Sequence, residues 1–338
     1  MTTWTPDQPR FPLLDGPSPF QPLPRFSAAL GTDAEVWIKR EDLLPLAFGG
    51  NKLRNLEFLV GDALAEGADV LVTSGRRWSN HCRLTAAAGA RAGMDVHLVL
   101  TGPPLEAPGP NQLIGELLGA TVHVTATAER AEREALVSTV ADDLRAAGRR
   151  PYVIGVGGSG VIGGLGQVLA GLELAEQAAD RGVSVSAVVL PSATGGTQAG
   201  LLVGLEMAGH DARVVGVTVA APAAELRPAV ELLVADLGSL TGRSVDPRRI
   251  ELDDGERGDG YGIPTHAADD ATRLLARTEG VLVDPIYTAK ALAGLIHGVR
   301  EQSLAGTVVF WHAGGTPGLF EQLGRPDAAN PGRLARGA

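Results

Sequence analysis

Short apolar runs alternate with helix-patterned stretches along most of this 338-residue chain, and glycine-rich loops join them. Glu35-Val36-Trp37-Ile38-Lys39 reads as a strand, and residues 42–51 as a loop closing on Gly49-Gly50-Asn51. Over residues 52–66, Leu53, Leu56, Leu59, Val60 and Ala63 fall on one helical face. Val70-Leu71-Val72-Thr73 reads as a buried strand, and Ser79-Asn80 as the cap of an alanine-rich helix ending near Ala92. Strands are expected at 96–100, 121–124, 152–154, 187–190, 214–219 and 307–311. Helices are expected at 113–118, 129–147, 166–179, 200–208, 267–279 and 289–301. Strands separated by helices imply an α/β fold with mostly parallel sheets flanked by helices. Ligands in such folds bind beyond the carboxyl ends of strands, where the glycine loops fall.

The length suits two lobes rather than one core. Hydrophobic residues make up 44% of the chain and charged residues 20%, which fits a folded soluble protein. The net charge of -10 repels phosphate backbones, so nucleic acid is not an expected partner. A local pocket can still be positive. Cys82 is the sole cysteine, which excludes an internal disulfide and a cysteine-based zinc site; no metal is expected. Residues 1–21 lack a basic start followed by an apolar stretch, and no apolar run is long enough for a bilayer. A cytoplasmic protein without a membrane partner is the expectation. The tails, residues 1–25 and 322–338, are rich in Pro, Arg and Gly and are assigned no chemistry.

Gly155-Val156-Gly157-Gly158-Ser159-Gly160 matches G-x-G-x-x-G after a strand. A dinucleotide site also needs an acid at the end of the next strand. That strand ends at Pro191, and Glu173 and Glu176 lie inside an expected helix. A tight turn with close helix packing is the better reading. Ser192-Ala193-Thr194-Gly195-Gly196-Thr197 sits between a strand and a helix. Its backbone N–H groups, the helix dipole and the threonine hydroxyls suit a phosphate. Its spacing is not that of a nucleoside-triphosphatase loop.

Lys52 starts a helix, where the dipole disfavours an ammonium. A neutral lysine can attack an aldehyde, although an isolated lysine is more often a solvated surface group. Ser79-Asn80-His81 is either a plain helix cap or a seat for a substrate carboxylate. Tyr261 and Tyr287 are loop tyrosines, which more often pack than catalyse.

Taken in order, these segments resemble a known family. They are Lys39-Arg40-Glu41-Asp42, Gly49-Gly50-Asn51-Lys52-Leu53-Arg54, Ser79-Asn80-His81-Cys82-Arg83, the threonine–glycine cup, Asp284-Pro285-Ile286-Tyr287-Thr288 and His312-Ala313-Gly314-Gly315. The set is similar to the D-cysteine desulfhydrase and 1-aminocyclopropane-1-carboxylate (ACC) deaminase family, tryptophan synthase β-like enzymes of pyridoxal 5'-phosphate (PLP). The resemblance implies the two-lobe fold type II. Residues 53–162 would form a smaller lobe inserted into a large lobe of 1–52 and 163–338. Lys52 would hold PLP as a Schiff base. Asn51 and Asn80 would lie near its ring, Asn80 by the phenolic oxygen. Thr194, Gly195, Gly196 and Thr197 would bind the phosphate. Ser79 would hold the carboxylate of a small amino acid. Tyr261 and Tyr287 would face that substrate, with Trp78, His81 and Arg77 beside it. A homodimer is implied.

Two positions argue against ACC ring opening. Thr288 stands where ACC deaminases carry a Glu at the pyridine nitrogen, and His81 where they usually carry Gln. The chain also departs from the desulfhydrases, with Gly75-Arg76-Arg77-Trp78 for Gly-Gly-Ile-Gln, Ala313 for Thr and Gly160 for Asn. One of Arg76 and Arg77 is expected to pair with a second anionic group on the substrate. The reading is a PLP-dependent carbon–heteroatom lyase that performs β-elimination to a 2-keto acid and ammonia. The alternatives are a PLP enzyme of specialised metabolism doing replacement or ring chemistry, ACC deaminase-like ring opening, and a non-catalytic PLP-binding protein.

Overall fold

The computed structural model describes residues 4–103, 107–127 and 129–324. The chain opens on β1 (Phe20–Pro22), α1 (Pro24–Leu30) and β2 (Glu35–Arg40). It continues through α2 (Lys52–Ala65), β3 (Val70–Arg76), α3 (Asn80–Ala92), β4 (Asp95–Thr101), α4 (Pro110–Leu117), β5 (Thr121–Thr125), α5 (Arg130–Ala146) and β6 (Pro151–Ile154). A glycine turn leads to α6 (Val161–Asp180), β7 (Val185–Ser192), α7 (Gly196–Met207), β8 (Arg213–Thr218), α8 (Ala223–Thr241) and β9 (Ile250–Asp253). Helices α9 (His266–Glu279) and α10 (Thr288–Arg300), strand β10 (Thr307–His312) and α11 (Thr316–Gly324) follow.

Two sheets form. The larger has the order β1-β2-β10-β7-β8-β9 and the smaller β5-β4-β3-β6. Only β1 runs antiparallel to its neighbour among the described strands. The large sheet is buried on both faces, and the period of two assigns each side chain. Val308 and Phe310 of β10 pack with α1, α9 and α10, while Val309 and Trp311 pack with α6, α7 and α8. In the small sheet, Leu71 packs on the α2–α3 side, and Val70 and Val72 pack on Val140 of α5.

The α/β class expected from the alternation is observed. Several elements differ from the sequence reading. Helix α6 starts at Val161, five residues before its expected start, because its glycines are packing points rather than breakers. A Cβ on Gly166 would stand 2.0 Å from the Arg54 carbonyl oxygen, and one on Gly204 of α7 would stand 2.2 Å from that of Val168. Helix α8 is not among the expected helices because it carries Pro228 in its interior. Strand β9, at the sheet edge, is only four residues long. The start of the chain is tied to the body: Arg10 pairs with Glu57 at 2.6 Å, and buried Ser18 enters an ion-pair network. The expected C-terminal tail lies outside the described residues from 325 onward.

That network fixes the start of α2. The Arg54 guanidinium meets Glu41 at 2.6 Å and Glu173 at 2.9 Å, and Lys39 pairs with Glu173. Burial opposes the Arg54 charge, but the two carboxylates outweigh it and hold the guanidinium protonated. The buried Lys39 ammonium also donates to the Ser18 carbonyl at 2.7 Å and to Gln177 at 2.7 Å. Buried charges persist when paired and hydrogen-bonded in this way. The result clamps α2 to α6 and to the loop after β2, two residues beyond Lys52.

Candidate active site

Lys52 follows an unusual stretch of backbone. Leu46, Ala47 and Phe48 have φ of 70°, 44° and 66°, and Gly49 and Gly50 have 63° and 131°. Left-handed backbone costs a residue with a side chain about 1–2 kcal/mol. The buried Arg83 guanidinium offsets part of that cost by donating to the carbonyls of Ala47 and Gly49. Gly49 has no room for a side chain, since a Cβ would lie 2.3 Å from the Asp42 carbonyl oxygen. The Asn51 N–H donates to the Ala313 carbonyl at 3.0 Å, which ties this turn to the end of β10. Lys52 then projects into a cavity of about 250 Å³ between the two sheets. Burial lowers its ammonium to about 8.

The large-sheet side of the cavity is mostly backbone. Gly195, at φ 79°, precedes α7, and no side chain caps that helix. The first N–H groups of a helix have no partner within it. A Cβ on Gly195 would come 2.6 Å from Val230, and one on Gly196 would come 2.7 Å from the Ser159 hydroxyl. Thr194 Oγ1 lies 2.5 Å from Ser159 Oγ, and Thr197 Oγ1 accepts from Asn51 Nδ2 at 2.8 Å. The 155–160 segment is the tight turn expected from its glycines. It also borders the cavity through Val156 and Gly157.

The small-sheet side is built from side chains. Ser79 caps α3 by accepting from the Cys82 N–H at 3.2 Å. Asn80 Oδ1 accepts from Arg83 at 3.3 Å and from Asn111 at 3.2 Å, and Asn111 also donates to the Trp78 carbonyl at 2.8 Å. Thr73 donates its single hydroxyl proton to the Ile154 carbonyl at 2.9 Å. His81 Nε2, 3.0 Å from Thr73 Oγ1, must therefore be the donor. This leaves His81 Nδ1 as a buried acceptor without a hydrogen-bond partner among the described residues. Burial, then the Lys52 charge, lowers the imidazole to about 3, so it is neutral.

Tyr261 and Tyr287 close the cavity with their hydroxyls in contact. Burial raises both phenols, which stay protonated and able to donate. Lys290 secures the Tyr261 loop by donating to the carbonyls of Arg257 at 2.7 Å and Gly260 at 3.3 Å. Asp284 shapes the Tyr287 turn by accepting from the N–H groups of Ile286, Tyr287 and Thr288 at 3.0, 2.9 and 2.9 Å.

The cavity brings together Asn51, Lys52, Ser79, Asn80, His81, Thr194, Gly195, Gly196, Thr197, Tyr261 and Tyr287. Three residues singled out in the sequence do not line it. Thr288 is fully buried, and its hydroxyl donates to Asp284 at 2.6 Å. It therefore supports the turn from outside the cavity lining. Arg77 turns away, with its guanidinium 3.5 Å from the Gly102 carbonyl oxygen. It alternates with Arg76 at the end of a strand, and Arg76 is the one that faces inward. Trp78 packs behind Tyr261, ring centroids 5.6 Å apart. The sequence reading missed Arg133, Asn111 and Arg83. Arg83 stood within a recognised motif, whereas Arg133 and Asn111 carry no local signal. No Asp or Glu is among the described lining residues, and Lys52, Arg76 and Arg133 make that lining positive.

The sequence profile of the family described as "Pyridoxal-phosphate dependent enzyme" matches residues 12–314. The "D-cysteine desulfhydrase" of Salmonella choleraesuis (strain SC-B67) is 43% identical over 320 residues, which is 92% of this chain and 95% of the relative. The chain belongs to the D-cysteine desulfhydrase family of PLP enzymes. The protein of the same name from Salmonella newport (strain SL254) is 42% identical, with coverage of 92% and 95%. A solved "ACC deaminase homologue" superposes with a TM-score of 0.86 at 36% identity, covering 92% of this chain and 93% of the other. A solved threonine deaminase from T.th. gives a TM-score of 0.65 at 23% identity, with coverage of 88% and 92%, which is a likeness of fold. The protein is thus a PLP-dependent enzyme of fold type II. Its residues fit the cofactor: a lysine of lowered pKa shares the cavity with a cup of uncapped N–H groups whose glycines have no room for side chains, since a Cβ on Gly195 would meet Val230 and one on Gly196 would meet Ser159. Among the described residues no group of three or more His, Cys, Asp or Glu could hold a metal ion, and no helix is long and apolar enough to cross a membrane.

Proposed function

We propose that this enzyme is a lyase that eliminates the β-substituent of a small amino acid, D-cysteine or a close analogue, to give a 2-keto acid and ammonia. The observation that carries this reading is the placement of Lys52. Its amine, lowered to about 8, lies in a cavity with no carboxylate among its described lining residues, bounded by the Thr194–Thr197 cup and the capped start of α3. The curated relatives named D-cysteine desulfhydrase support the substrate class.

When bound, PLP supplies an electron sink for the charge that develops at the α-carbon. Lys52 Nζ would hold the cofactor covalently, and the backbone of Gly195, Gly196 and Thr197 would hold its phosphate. Asn51 and Asn80 would flank the ring. The first N–H groups of α3 and the Ser79 hydroxyl would bind the substrate carboxylate. Once released, Lys52 Nζ would take up the α-proton, since a neutral amine acts as a base. The Tyr287 hydroxyl, held against that of Tyr261, would give a proton to the leaving heteroatom. Neutral His81 keeps a further positive charge away from Lys52.

We take residues 53–162 as the smaller lobe, supported by the separate β5-β4-β3-β6 sheet. We also take the protein to be a cytoplasmic homodimer, as the family resemblance implies. Ring opening of ACC is a second reading, favoured by the ACC deaminase homologue at 36% identity.

The test is the visible spectrum of the protein expressed with PLP, followed by assay. Wild type is expected to show a yellow band that borohydride bleaches, leaving cofactor covalently on Lys52; Lys52→Ala should not. The loaded enzyme should release keto acid and ammonia from D-cysteine or β-chloro-D-alanine. Turnover of ACC alone would move the assignment to the second reading, and a protein that cannot be loaded would end both.

A further inference from the structure

Two anion seats in the cavity are accounted for, one for a phosphate at the start of α7 and one for an α-carboxylate at the start of α3. A third concentration of positive charge lies beside the second seat. Arg76, the last residue of β3, and Arg133, in the first turn of α5, both line the cavity. They are near enough for the charge of Arg76 to act against that of Arg133. The Arg133 charge also reaches Cys82, the residue whose N–H Ser79 accepts. Tyr261, which also lines the cavity, feels the charge of Arg76.

Neither arginine has an ion-pair partner among the described residues. Glu134, next to Arg133 in sequence, is taken by Arg130 at 2.6 Å. Arg133 Nε is buried without a hydrogen-bond partner. Two guanidiniums that share a half-buried wall repel each other and are poorly hydrated. An anion between them removes both penalties, and the planar forks match carboxylate, sulfonate and phosphonate oxygens.

We infer that Arg76 and Arg133 form a seat for a second anionic group on the substrate. Among the analogues of cysteine, the preferred substrate is then one whose β-substituent is itself anionic, such as a sulfonate, with D-cysteine the poorer one. This deepens the proposed function and rests on it, since the α-carboxylate is taken to occupy the start of α3. Arg77, which the sequence offered as equally placed, plays no part.

Aspartate and asparagine differ in charge but hardly in shape, so they isolate the seat. Both enantiomers of each, together with cysteic acid, are titrated into PLP-loaded protein by calorimetry and by the change in visible absorbance. Wild type is expected to bind one enantiomer of aspartate, or cysteic acid, at least about tenfold more tightly than asparagine. In Arg76→Gln and Arg133→Gln that preference should fall below about threefold, with asparagine affinity within about twofold of wild type. Arg133→Lys should keep most of the preference.

Equal affinity for the acid and the amide in yellow wild-type protein would overturn the inference and leave the PLP reading intact. Equal weakening of both ligands in the variants would also overturn it, because the arginines would then serve the shared α-carboxylate. Loss of the yellow band in wild type marks failure of the PLP reading instead. Calorimetry still reads the charge preference in that case.

Discussion

The two walls of the cavity are made of different material. The large-sheet wall at residues 194–197 is glycine backbone and a helix start, with hydroxyls in support. The small-sheet wall is made of side chains from four places: Arg76 at the end of β3, Ser79 with Asn80 and His81 at the start of α3, Asn111 behind them, and Arg133 on α5. Backbone N–H groups recognise any phosphate in the same way, whatever the rest of the ligand. Side chains can be exchanged one at a time. The first wall suits the part of the reaction that does not vary, and the second suits the part that sets specificity.

This contrast can be broken most severely at the backbone wall. Gly195→Val puts a branched side chain at φ 79° and against Val230. Retention of PLP, read by equilibrium dialysis, should fall roughly 100-fold, because strain and overlap together disorder the cup. Retention within a few-fold of wild type would mean that side chains, not backbone, carry the phosphate. The side-chain wall should respond differently. Asn111→Ala removes two hydrogen bonds behind Asn80 and Trp78. It should lower kcat/KM by about tenfold with PLP retention unchanged, since roughly 1–2 kcal/mol of positioning is lost. Loss of cofactor in this variant would show that the two walls are not separable.

The smallest effect lies between the walls. The amine of Lys52 must be neutral to capture the cofactor, and its ammonium is lowered to about 8. Below that value the proton is bound and capture is slow; above it the neutral form saturates. The rate of PLP uptake by cofactor-free protein should rise about fivefold from about pH 7 to about pH 8, and less than twofold from there to about pH 9. A rate still climbing tenfold per unit above pH 9 would return Lys52 to an ordinary lysine.

What could be read in the sequence was what is local in the chain. Lys52, Ser79, and Thr194 to Thr197 each sit at the junction of a loop and a helix, and that junction is visible in a few residues. Arg133 could not be found this way. It stands among ordinary charges on an exposed helix and reaches the cavity only because α5 packs beside the end of β3. Thr288 illustrates the opposite problem. Its position in a recognised motif suggested a cofactor contact, but Asp284, four residues earlier, takes its hydroxyl. The glycines of α6 look like breakers in the sequence because helix–helix approach depends on a partner 30 or more residues away, as Gly171 with Gly204 shows. Helix α8 was within reach, since Leu226, Val230, Val234 and Leu237 repeat at helical spacing and are buried. Pro228 concealed it.

The absence of acidic side chains among the described residues of the cavity wall also bears on how fast a ligand arrives. The protein as a whole carries -10, so an anion approaching from solution is first repelled. Only within about a Debye length, roughly 10 Å at moderate salt, do Lys52, Arg76 and Arg133 take over. Added salt weakens both fields, but the outer one more, because exposed charges are screened better than enclosed ones. Association of an anionic ligand should thus quicken with salt while its residence shortens. The acidic exterior acts as a barrier to encounter, and the basic interior as the trap behind it.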